Sequence, residues 1–131
     1  MDKPLRLGDL QVAILRVLWD EGEATVARVT RALSGRRRAP TTIATMLSKM
    51  ERRGLVEHRL EGRQFIYKPL LSEQEVTRTM VADLTQRLFE GDVSALVSHL
   101  IRSEEIDREE LVRLRAMIVQ REREEAGDEH E

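Results

Sequence analysis

Between positions 40 and 54 the chain reads Pro-Thr-Thr-Ile-Ala-Thr-Met-Leu-Ser-Lys-Met-Glu-Arg-Arg-Gly. Wound as a helix, this stretch sorts into two faces. Ile43, Leu47 and Met50 form an apolar stripe, and Thr41, Thr42, Thr45, Ser48, Lys49 and Arg52 lie opposite it. Short hydroxyls exchange hydrogen bonds with base edges, and long cations reach phosphate oxygens. Such a face therefore has the chemistry to lie in a DNA major groove. A merely solvated face has a similar composition, and the segment in isolation favours that plainer reading; its neighbours reverse the balance. Arg36, Arg37 and Arg38 stand just before it, either as a solvated loop or as cations within reach of phosphates that flank the groove. Arg63, in a predicted turn further on, extends the same chemistry.

Other chemistries find no residues to carry them. The chain has no glycine-rich phosphate loop, no His-Glu-x-x-His and no nucleophile motif. His58, His99 and His130 fall in three different predicted segments without ligand spacing, so no metal site and no cofactor is expected. His58 reads as a strand residue and His99 as a helix residue near an apolar seam. With no cysteine, disulfides, thiolate metal sites and thiol switches are excluded. An enzyme is not expected.

The elements that must hold the hydroxyl-and-cation face follow from periodicity. Residues 7–19 read as a first helix, with Leu10, Ile14 and Leu18 at i+4 spacing, Gly8 as N-cap and Gln11 at N3. The Asp20-Glu21-Gly22-Glu23 cluster ends it. Trp19, at the end of the apolar stripe, reads as core rather than as a base-stacking residue. Thr25 caps a second helix through residue 33, with Val26, Val29 and Leu33 facing inward and Gly35 as its stop. Pro40 suits the first position of the third helix, where its missing N–H costs nothing, and Gly54 suits the left-handed stop. Residues 55–60 and 64–68 then read as a hairpin about Glu61-Gly62-Arg63, with Pro69 ending the second strand. Period two puts Phe65 and Tyr67 on one face, expected to pack on the helices. Three short helices and a hairpin predict a winged helix-turn-helix, with Arg63 at the tip of the wing.

From Ser72 the pattern turns to long helices. Ser72-Glu73-Gln74-Glu75 matches a capping box. Val76, Met80, Leu84 and Leu88 continue as one stripe, widened by Val81 and Phe89. Gly91-Asp92 restarts the chain into a helix bearing Val93, Leu96, Val97, Leu100 and Ile101, and Asp107 opens a last helix with Leu111, Leu114 and Ile118. So short a set of helices encloses its stripes poorly alone, and pairing with a second copy is the simplest remedy. Met80, Leu84, Leu88, Leu96, Val97, Leu100, Leu114 and Ile118 are the expected dimer contacts. The alternative is a compact helical lobe covering the front domain in cis. The predicted architecture is mainly α with a small β-hairpin: a winged helix-turn-helix over residues 1–70, a helical dimerisation domain over 71–125, and an acidic, disordered tail over 126–131.

Charge divides along the same line. Residues 1–70 carry 14 Lys+Arg against 8 Asp+Glu, a net +6, whereas residues 71–131 carry 8 against 16, a net −8. A basic front and an acidic rear predict that one half only meets a polyanion. No apolar run approaches a membrane span and no N-terminal secretion signal is present, so a cytoplasmic protein with no membrane partner is expected.

The runs Leu18-Trp19, Thr42-Ile43-Ala44-Thr45-Met46-Leu47, Gly54-Leu55-Val56 and Gly62-Arg63-Gln64-Phe65-Ile66-Tyr67-Lys68-Pro69, and more loosely Ser94-Ala95-Leu96-Val97 and Leu114-Arg115, stand together in this order. In these runs the chain resembles the BlaI/MecI penicillinase-repressor family. The resemblance implies a homodimeric winged-helix repressor that occupies a palindromic operator in double-stranded DNA near a promoter. It also implies that residues 41–52 are the reading helix, that Thr42 and Thr45 face DNA, and that Lys49 fills a usually basic position. Ala44 stands where those repressors carry a longer polar residue, which implies a different or less strict operator, with room for an apolar contact to a thymine methyl. In the antibiotic-responsive members a protease acts at an Asn-Phe bond after a membrane sensor fires; here the matching pair is His99-Leu100. The copper-responsive branch uses Cys-x-Cys motifs, which this chain lacks. Two other classes remain open on the residues: a ligand or metal sensor built on His99 and Glu104, and a protein-interaction module using the basic face.

Overall fold

The computed structural model describes residues 5–36 and 38–129. Helix α1 runs over Asp9–Glu21, the two-residue strand β1 over Ala24–Thr25, α2 over Val26–Ala32 and α3 over Pro40–Arg52. Strands β2 (Val56–Glu61) and β3 (Gln64–Pro69) follow, then α4 (Glu73–Phe89), α5 (Val93–Arg102) and α6 (Arg108–Glu129). The chain divides into two compact units, residues 1–83 and 84–131.

In the front unit the helix ends are set locally. The Gly8 N–H donates to the Gln11 side-chain oxygen at 3.0 Å, as expected for the start of α1. The helix runs two residues past Trp19 and stops within the expected Asp20-Glu21-Gly22-Glu23 cluster, at the left-handed Gly22 (φ +85°), whose N–H donates to the Leu18 carbonyl at 2.7 Å. Thr25 caps α2, accepting from the Arg28 N–H at 3.1 Å. Helix α2 ends at Ala32 and passes into a 3-10 turn, Ser34–Arg36. Pro40 opens α3, and Gly54 (φ +76°) closes it with the two bonds of a Schellman motif. Those bonds run from the Gly54 N–H to the Glu51 carbonyl and from the Leu55 N–H to the Met50 carbonyl, both 3.0 Å.

The apolar stripe of α3 is fully buried: Ile43, Leu47 and Met50 pack with Ile14, Leu15 and Leu18 of α1, Val29 of α2 and Leu55, Val56 and Tyr67 of the hairpin. Each such side chain contributes about 1.5–3 kcal/mol through apolar area removed from water. Trp19 is half-buried against this core and its Nε1–H donates to the Leu71 carbonyl at 2.8 Å, a structural role. The sheet has the antiparallel order β1-β3-β2, with Ala24 opposite Tyr67, His58 opposite Tyr67 and Leu60 opposite Phe65. The β1 strand is an addition to the hairpin expected from the sequence. Glu61 pairs with Gln64, leaving Gly62-Arg63 as a two-residue loop whose glycine has φ +63°.

Phe65 departs from expectation. Tyr67 is buried, but Phe65 is 49% exposed and packs edge-on against the His58 ring at 4.8 Å. The period-two face is the one predicted; the hairpin simply extends past the helices before it reaches Phe65.

Ser72 and Glu75 form the reciprocal capping box of α4. The Glu75 N–H donates to Ser72 Oγ at 3.0 Å, and the Ser72 N–H donates to Glu75 Oε1 at 3.3 Å. Val76 is buried in the front unit, which reaches Asp83, whereas the change of sequence character comes near residue 70.

In the rear unit Asp92 caps α5 and Asp107 caps α6, accepting from Ala95 and Glu110 N–H groups at 3.0 and 2.9 Å. Helix α6 continues to Glu129, so residues 126–129, expected as a disordered tail, are helical; residues 130–131 lie outside the described residues. Pairs one turn apart line the end of α6: Arg121 with Glu125 at 2.8 Å and Gln120 with Glu124 at 3.3 Å. No buried residue is found on α5. Among the described residues no helix is long and apolar enough to cross a membrane.

Candidate nucleic-acid interface

Burying Ile43, Leu47 and Met50 fixes the rotation of α3 and turns its other side outward. Thr41, Thr42, Thr45, Ser48, Lys49 and Arg52 are all exposed, and Ala44 is half-buried at the edge of the same face. Arg63, at the hairpin tip, is exposed, and so is Arg38 ahead of α3. Arg37 lies outside the described residues, as does the side chain of Arg36, so only Arg38 of that run is placed.

The cations of the front unit fall into two groups. Arg28 is paired with Glu21 at 2.7 Å, Lys68 with Glu57 at 3.0 Å and Arg16 loosely with Glu73 at 4.0 Å. Arg59 is gripped by Glu23 through two bonds of 2.6 and 2.8 Å and by Glu61 at 3.0 Å. That grip holds the Glu23 carboxyl below the usual carboxylate range, chiefly through the hydrogen bond from Arg59. Arg53 donates to the Arg6 carbonyl at 2.7 Å and to Gln11 at 3.4 Å, tying the end of α3 to the chain before α1. By contrast, Arg38, Lys49, Arg52 and Arg63 have no acidic partner among the described residues. Four cations free of ion pairs thus lie along the outer face of α3, just ahead of it and at the hairpin tip; Arg6, Arg31 and Arg78, elsewhere on the front unit, have no ion pair among the described residues either. An unpaired, solvated cation meets a phosphate without first breaking an internal ion pair.

One contact set was not anticipated from the sequence. Glu51, the single acid of α3, accepts from the His58 backbone N–H at 2.9 Å, and both its oxygens lie 2.7 Å from His58 Nδ1. The His58 ring also stands 5.4 Å from Tyr67. Burial raises the Tyr67 phenol above its ordinary pKa, the Glu51 charge adds to the rise, and hydrogen bonding with Ser48 opposes it. Ser48 is therefore both an exposed member of the outer face of α3 and a neighbour of the hairpin. The isolated pattern of α3 gives no sign of this, since the partners lie on another element.

Of the residues expected at a dimer contact, Leu84, Leu88, Val97, Leu100 and Ile118 are exposed, whereas Met80, Leu96 and Leu114 are half-buried. Val93, Ile101, Val112 and Met117 add to the exposed apolar surface of the rear helices. His99 lies on α5 with its ring 6.0 Å from Phe89, and the His99–Leu100 bond is inside that helix. Among the described residues no group of three or more His, Cys, Asp or Glu side chains could hold a metal ion.

The penicillinase repressor family model matches residues 7–120. The transcriptional regulator BlaI of Mycobacterium tuberculosis is 33% identical over 116 residues, covering 86% of this chain and 84% of that protein. The penicillinase repressor of Bacillus licheniformis is 25% identical over 112 residues, covering 85% of this chain and 88% of that protein. Among solved structures, the DNA binding domain of the repressor BlaI is 30% identical with a TM-score of 0.49, covering 57% of this chain and 93% of that one. With nearly its whole length matched, front unit and rear helices alike, the chain belongs to the penicillinase repressor family, whose members are transcriptional repressors and not enzymes.

Proposed function

We propose that this chain is a sequence-specific DNA-binding transcriptional repressor that acts as a homodimer on an inverted-repeat operator near a promoter. The observation that carries the reading is the cluster of four cations without an acidic partner among the described residues, Arg38, Lys49, Arg52 and Arg63, on or next to the elements that carry the exposed threonines of α3. In this reading Thr41, Thr42, Thr45 and Ser48 meet base edges, Lys49, Arg52 and Arg38 meet phosphates with Arg36 and Arg37, and Arg63 follows the backbone beside the wing. The repressor relatives support the same role, and a cytoplasmic location goes with it.

Homodimerisation is supported by the rear helices, which leave Leu88, Val97, Leu100 and Ile118 open to water. Apolar surface of that kind is stabilised by a self-complementary partner, and a two-fold pair presents two reading helices about one DNA turn apart. The second half-site then binds at high effective concentration.

Selection of bound duplexes from a random library tests the proposal. The expected outcome is enrichment of two short half-sites in inverted repeat. A pool without enrichment, or with one unrepeated motif, would overturn it.

A further inference from the structure

Besides the core packing of Leu55 and Val56, a cross-strand pair with polar partners joins the wing to the reading helix. His58 on β2 lies directly opposite Tyr67 on β3, and each has a partner on the last two turns of α3: Glu51 for His58 and Ser48 for Tyr67. Nearer the tip Arg59 is held by Glu23 and Ile66 pairs with Thr25; past those two residues the hairpin is unsupported, with Leu60 63% exposed and Phe65 resting on the His58 ring. The free cation of the hairpin, Arg63, sits at the far end.

We propose that His58 is a positioning residue that fixes the angle of the wing against α3, and so sets where Arg63 meets DNA. This deepens the DNA-binding reading and rests on it. Five residue steps separate Arg63 from His58, three along β2 and two through the loop, a lever of at most about 16 Å at about 3.3 Å per residue. A tilt on the order of 10° at His58 moves the tip by about 3 Å, enough to take a guanidinium out of hydrogen-bond range of a phosphate. Three features make the joint suited to this. The Glu51 carboxylate engages both the backbone N–H and the ring of His58, which restrains the strand and the side chain together. The ring carries the restraint across to β3 through Tyr67 and toward the tip through Phe65. The His58 side chain is 36% exposed and outside the buried core, so replacing it leaves that core in place.

The test uses the full chain, a duplex enriched by the selection above, and a scrambled duplex of the same length. Replacing Arg63 by Ala lowers the slope of log K against log salt by about one unit on the enriched duplex. His58→Ala should lower it by a similar amount, and Arg63→Ala should then cost nothing further in the His58→Ala background. His58→Asn, which keeps a short donor for Glu51, should restore the wild-type slope. In the free protein, His58→Ala should raise fast backbone motion at Gly62 and Arg63, measured by NMR order parameters, while leaving the α3 amides unchanged. A full unit lost on removing Arg63 in the His58→Ala background, or hairpin-tip order unaltered by His58→Ala, would overturn the proposal. If the wild type prefers no duplex, the DNA reading fails by itself, and the free-protein measurement still decides whether His58 positions the wing.

Discussion

At the scale of residues, the exposed face of α3 separates choice from affinity. Thr45 is exposed and outside the core, so a larger side chain there leaves folding within about 0.5 kcal/mol. On a groove-facing helix it removes a hydrogen-bonding hydroxyl and crowds the base edge. Thr45→Leu should therefore reduce the preference for the selected duplex over a scrambled one by about 1–3 kcal/mol, with a smaller loss on random DNA. Competition binding measures both, and equal losses on the two duplexes would count against a base contact. Tyr67 makes a separate prediction about stability. Its phenol is raised chiefly by burial, so the folded state holds the neutral form more tightly than the unfolded chain does. That contribution is complete below the ordinary tyrosine pKa of about 10 and is lost as pH rises through it toward the folded value. The urea midpoint should fall between pH 9 and 11 more steeply in wild type than in Tyr67→Phe, and parallel profiles would refute the linkage.

At the scale of elements, what could be read from the sequence was whatever is encoded locally. Pro40 and Gly54 bound α3 because one lacks an N–H and the other tolerates a positive φ, and both properties belong to the residue. A Cβ built on Gly54 meets nothing within 4 Å, so the cost of Gly54→Ala is backbone strain alone, about 1 kcal/mol, and thermal unfolding should show it. Thr25, Ser72, Asp92 and Asp107 were legible in the same way, each accepting from the N–H three residues on. Non-local features were not. Strand β1 is two residues long and doubles as the cap of α2, too short for a period to show. Phe65 shares the alternation of Tyr67 and differs only in how far the helices extend beneath it. At the candidate site, spacing identified the outer face of α3, but Glu51 and His58 meet across the start of the hairpin, and Arg59 is held by Glu23 from 36 residues away. Which cations are free is a property of the fold.

At the scale of the whole molecule, the two units call for different partners. The front unit closes a core of its own, whereas the rear unit leaves its large apolar side chains exposed, Leu100 at 48% among them. A charge at Leu100 costs the free protomer little, because that side chain already meets water. Buried unpaired at a subunit contact it is expensive. Leu100→Glu should accordingly give a folded monomer with helical content unchanged, and it should lose tight binding to the selected duplex in the same step. A monomer that keeps full affinity would separate dimerisation from operator recognition.

The most direct measurement is the stoichiometry of the complex, taken by sedimentation of the wild-type chain with the selected duplex at micromolar concentration. Two chains per duplex are expected, with a free protein that already sediments as a dimer. One chain per duplex, or a monomer that sediments apart from every duplex supplied, would contradict it.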